Sequence, residues 1–79
     1  MVPISVKKFA EMTVKNNRDM KKGELIIALN EALKRKNNGA ECICCGSPIW
    51  AAGSAIVEMD LCFSCITGEA DDSDDYEII

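Results

Sequence analysis

Residues 41–50 read "ECICCGSPIW", with Cys42, Cys44 and Cys45 inside four positions and then Gly46, Ser47 and Pro48. "LCFSC", residues 61–65, supplies the other two cysteines, and the chain of 79 residues has no histidine. Five thiols can form a disulfide framework, a redox couple, a metal site, or a set of small buried hydrophobes. A chain this short buries little apolar surface and needs a staple; the candidates are disulfides, a structural metal or a partner subunit. The odd cysteine count fits a complete disulfide framework badly. The N-terminal stretch "MVPISVKKFAEM" has no apolar h-region and no cleavage site. The longest apolar run, Leu25 to Leu29, is only five residues, too short to cross a bilayer. A cytoplasmic setting is therefore expected, and thiols stay reduced there. That leaves the metal site as the preferred staple.

The cysteines fall into two pairs, Cys42–Cys45 and Cys62–Cys65, in the pattern C-x2-C-x16-C-x2-C. This lies within the spacing of a four-cysteine zinc site. Two intervening residues let a tight turn aim both sulfurs at one point while its N–H groups face the thiolates. Gly46 supplies the freedom in φ that such a turn needs. A structural zinc contributes roughly 10–16 kcal/mol of apparent binding free energy, more than the few apolar side chains of this half. A tetrahedron of thiolates also suits iron, which stays open as the alternative metal. The thioredoxin type of redox motif requires a βαβ context, and none is visible. Cys44 cannot easily join the same tetrahedron. It reads as a packing residue, with a spare ligand or an oxidation-sensitive thiol as the other readings.

On these residues the chain resembles the four-cysteine structural zinc domains of the zinc-ribbon and treble-clef type. "CICCGSPIW" resembles a zinc knuckle followed by a hairpin strand. "LCFSC" resembles the second knuckle, which opens a short helix in treble clefs and is similar to the second pair of GATA-type fingers. The resemblance covers residues 41–68 and implies Cys42, Cys45, Cys62 and Cys65 as ligands of Zn2+. Ribbon and treble clef stay open as alternatives. No basic flank follows the second pair, so recognition of DNA in the GATA manner is not implied.

Outward from the cysteines, residues 1–38 carry the period of helices. Ser5 is an N-cap candidate, followed by Val6, Phe9, Ala10 and Thr13 or Val14 on one face. A second helix is expected from about Lys21 to Lys36, with Leu25, Leu29, Ala32 and Leu33 on one face. Lys34, Arg35 and Lys36 complement its dipole, and Asn37-Asn38-Gly39 offers a left-handed stop. The pair is expected to form an αα-hairpin, with Leu25, Leu29, Leu33 and Phe9 as an apolar seam. Between the cysteine pairs, Trp50, Ile56 and Val57 flank Gly53-Ser54, which predicts a β-hairpin turning at the glycine. Trp50 is expected over the metal site. "DDSDDYEII", residues 71–79, predicts a solvated acidic tail. It is no calcium loop, since its sixth position is Tyr76 and no acid stands at the twelfth. The fold class is thus a small α+β protein: an αα-hairpin (residues 1–38), a four-cysteine module with a metal-bound β-hairpin (39–70), and an acidic tail (71–79).

All nine cations lie in residues 1–38 beside four acids, and nine acids with no cation lie in residues 39–79. Halves of +5 and −9 either dock on each other or meet different partners. Nucleic acid is not the expected partner, given a pI near 4.6 and only four aromatics, Phe9, Trp50, Phe63 and Tyr76. Four thiolates leave a metal no open position and there is no histidine base, so an enzyme is not expected. The first functional reading is a small zinc-binding adaptor or regulator acting through protein contacts. A redox or electron-transfer protein using iron or the Cys44 thiol is the alternative, and a nucleic-acid-binding regulator the third.

Overall fold

The computed structural model describes all residues, Met1 to Ile79. The order is strand β1 (Val2–Ile4), helix α1 (Val6–Asn16), helix α2 (Lys22–Asn37), helix α3 (Ala51–Val57), helix α4 (Phe63–Thr67) and strand β2 (Tyr76–Ile78). The two strands pair in parallel with Val2 opposite Tyr76 and Ile4 opposite Ile78. Pro3 is tolerated because each strand of a two-stranded sheet is an edge. No helix is long and apolar enough to cross a membrane.

The first two helices form where the apolar spacing places them. Ser5 caps α1 by accepting a hydrogen bond from the Lys8 N–H at 3.2 Å. On α2, Leu25, Leu29 and Ala32 are buried at i, i+4 and i+7. Its end is a Schellman motif: the Ala40 N–H reaches the Arg35 carbonyl and the Gly39 N–H the Lys36 carbonyl, each at 3.0 Å. Gly39 takes φ +86°, which the closing turn requires. Phe9 and Leu33 pack partly buried against the same core.

The β-hairpin expected between the cysteine pairs does not form. Residues 51–57 are α3, in which Ala51, Ala52, Gly53, Ser54 and Ala55 are all buried. The strand reading weighed Ile56 and Val57, but both sit exposed at the end of that helix. Small residues decide the matter, since they let α3 lie close against α2. Gly53 is helical, not a turn residue. A Cβ there would come within 2.8 Å of Ile66 Cδ1 and 2.7 Å of Trp50 Cζ3.

The acidic end likewise is not a free tail. Asp71–Asp75 leads into β2, and Glu77 is buried. Its Oε2 accepts from Lys36 Nζ (2.6 Å) and the Ala51 N–H (2.8 Å), and its Oε1 from the Ala52 and Ile78 N–H groups (3.0 Å each). A carboxylate at the first turn of α3 satisfies donors that a helix start leaves orphaned. Trp50 Nε1 donates to the Tyr76 carbonyl at 2.8 Å and adds a second tie to β2. The core therefore draws on all three stretches: Ile4, Ala10, Leu25, Leu29 and Ala32, then Ala51, Ala52 and Ala55, then Ile78.

Helix propensity alone favours alanine over glycine by roughly 0.5–1 kcal/mol. At residue 53 the clash with the Trp50 ring opposes this, and overpacking costs about 1–3 kcal/mol. Gly53→Ala is expected to lower stability in denaturant titration, with the indole displaced from its bond to Tyr76. A stabilised variant would show that the contact is slack.

Candidate metal centre

Two backbone turns aim the four paired cysteines at one point. In the first, the Cys42 N–H donates to the Ser47 carbonyl at 2.6 Å and the Gly46 N–H to the Cys42 carbonyl at 2.9 Å. Gly46 takes φ +77°, as its place in the turn requires. A single antiparallel bridge, Glu41 to Pro48, closes the loop. The Cys44 N–H points at Cys42 Sγ, 3.4 Å away. The second turn is the start of α4. Cys62 is its N-cap residue and Cys65 lies one turn further on.

Four hydrogen bonds tie the turns to each other and to α3. The Ile43 N–H donates to the Asp60 carbonyl at 3.0 Å, and the Trp50 N–H to the Leu61 carbonyl at 2.9 Å. Buried Ser54 Oγ donates to the Leu61 carbonyl (2.9 Å) and accepts from the Leu61 N–H (3.1 Å). Residues 60–61 are thereby fixed against both the first turn and α3, which sets Cys62 beside Cys45. Trp50 stacks edge-on against Phe63, ring centres 5.0 Å apart. It thus packs beside the second turn, next to a ligand position.

The result is a cluster in which the Sγ atoms of Cys42, Cys45, Cys62 and Cys65 all lie within 4.8 Å of one another. The Sγ atoms of Cys45 and Cys62 are 3.4 Å apart. A tetrahedron with metal–sulfur bonds of about 2.3 Å has sulfur–sulfur edges of about 3.8 Å, so the four can hold a metal ion with small adjustments. The donor set does not choose between zinc and iron. Cys42 is buried and Cys62 is 9% exposed, whereas Cys45 and Cys65 face solvent.

The thiols share protons unequally. Burial pushes the Cys42 thiol up, but hydrogen bonds from the backbone of Cys62, Cys44 and Cys45 and from the Cys65 thiol outweigh it, bringing Cys42 down to about 6. The side chain and N–H of Ser47 pull Cys45 down as well. Cys65 is pushed up, because its proton is held against Cys62 and Cys42. Negative charge thus collects at the first turn before any cation arrives.

Cys44 stays outside the cluster with an exposed side chain. It is therefore not the buried packing residue that its neighbours suggested. What it gives the site is its backbone N–H, which any residue but proline would give. Three features were missed in the sequence: Ser54, whose hydroxyl pins the second turn; Glu77, which anchors α3; and α3 itself. The β-hairpin that both zinc-ribbon and treble-clef resemblances imply is replaced by that helix, while the short helix after the second pair is present. No family model, curated protein or solved structure matches this chain.

Cys62→Ser is expected to abolish stoichiometric metal binding and to release residues 60–68 from their native amide shifts. Cys44→Ser should keep both, because the 3.4 Å contact uses its N–H. Full metal content in Cys62→Ser would remove it from the ligand set.

Metal uptake must displace the proton held on Cys65, so proton release should accompany binding at neutral pH. The sign follows: affinity falls as pH falls, more steeply below about 6, where Cys42 is also protonated. Competition titrations at several pH values check this, and an affinity indifferent to pH would contradict it.

Proposed function

We propose that this chain is a small zinc-binding module that works through contacts with another protein, the metal being structural. The observation that carries the reading is the convergence of four sulfurs within 4.8 Å. Four thiolates complete a tetrahedral sphere and leave no position for a water or a substrate. Zn2+ held by Cys42, Cys45, Cys62 and Cys65 would supply cohesion and no chemistry. The chain's own residues do the rest: the Cys44 N–H supports a thiolate, Ser54 and the residue 60–61 carbonyls hold the turns in register, and Trp50 shields one flank. Enzymatic activity is not part of this proposal. Nor is binding of nucleic acid, because nine acids without a cation in residues 39–79 oppose phosphate.

One observation favours a second reading. Cys45 and Cys65 are exposed, which brings an edge of the cluster to the surface, as electron transfer through iron would need. Metal analysis of protein purified without added metal separates the two. The expected result is one zinc per chain in a colourless protein that loses its native fold with a strong chelator. Iron at one per chain, with a coloured form bleached reversibly by reductant, would overturn the structural-zinc reading.

A further inference from the structure

Beside the metal centre runs a feature that the site does not use, a cleft between α2 and α3. Two hollows of about 400 Å³ and about 200 Å³ meet along it and share Ala28, Ala55 and Glu58. The floor is made of small side chains, so another helix backbone can approach closely. Ile56 and Met59 line the cleft and remain 44% and 49% exposed.

Its rim is acidic. Asp19, Glu24, Glu31, Glu58 and Asp60 line the two hollows, with Lys21 and Arg35 as the cations among them. Arg35 is already engaged by Asp60 at 2.9 Å. Glu24, Glu31 and Glu58 make no ion pair within the chain. Ile27, which is 61% exposed, lies on α2 one turn from both Glu24 and Glu31. Apolar floor and unpaired acids together specify an occupant with one apolar face and cations beside it.

We infer that this cleft is the docking site for a basic amphipathic helix of a partner protein. The apolar face would cover Ile56, Met59 and Ala28, and its Lys or Arg side chains would meet Glu31 and Glu58. Helix-in-groove recognition uses this division of labour, and complementary charge steers the encounter. Anionic lipid and nucleic acid are repelled by the same rim. The inference rests on the reading of the chain as an interaction module and gives that reading a place.

The test uses the full chain, metal-loaded and 15N-labelled, with two synthetic helical peptides that share one apolar face. One carries Lys on its flanks and the other Glu. At an ionic strength giving a Debye length of about 8 Å, the Lys peptide is expected to shift the amides of Ala28, Ala55 and Met59 saturably. Glu31→Lys combined with Glu58→Lys should weaken it by about tenfold and admit the Glu peptide. Shifts confined to Asp71–Asp75, equal binding of both peptides, or no binding by the folded metal-loaded chain would overturn the cleft assignment. So would peptide-free shifts at the cleft that grow with protein concentration, which would assign it to a second copy. Metal content measured on the same sample keeps the two questions apart. A zinc-loaded chain that ignores both peptides defeats the cleft alone, whereas redox-active iron defeats the module reading.

Discussion

Four thiols held within 4.8 Å of one another have little to offer each other except weak hydrogen bonds and, once deprotonated, repulsion. The chain accepts that arrangement through backbone bonds made elsewhere: Cys42 to Ser47, Ile43 to Asp60, Trp50 to Leu61. Each leaves a sulfur pointing inward with few alternatives. Protons then settle on Cys65 and leave Cys42, a geometry that favours a cation. A tetrahedral metal would turn the same convergence from a cost into cohesion. The turn of residues 42–47 and the start of α4 are arranged around that point.

The remainder of the molecule ties this centre to the N-terminal helices. Its core is built largely of alanine on the α3 side, which buries little area per residue but permits close packing. Glu77 compensates by joining four donors from α2, α3 and β2 at one carboxylate. A buried charge is costly when unpaired, and this one is fully partnered. Three of the four ion pairs, Met1–Asp72, Arg35–Asp60 and Lys36–Glu77, link the basic half to the acidic half. The segregation of charge along the chain is thus partly consumed in folding. Among the acids left unpaired, Glu24, Glu31 and Glu58 line the α2–α3 cleft and Asp71, Asp74 and Asp75 lie in the turn before β2.

Much of this was legible in the residues. The caps and apolar faces of α1 and α2 are local properties, as are the two C-x2-C turns and the left-handed Gly39 and Gly46. The failures have a common cause. In α3 the burial is carried by Ala and Ser, which give no hydrophobic period, while the β-branched Ile56 and Val57 are exposed and misdirect. Strands β1 and β2 are three residues each and pair across the full length of the chain. Nothing local announces such a pairing, although the apolar ending Tyr76, Ile78 and Ile79 was a sign. Glu77 was hidden among acids that are solvated.

The interaction reading and the cleft both depend on the metal being held by sulfur alone, with its sphere closed. X-ray absorption at the metal edge of the loaded protein measures that directly. The expected result is four sulfur scatterers at about 2.3 Å and no lighter atom in the first shell. A nitrogen or oxygen scatterer, or fewer than four sulfurs, would mean an open or different site and would contradict a purely structural role for the centre.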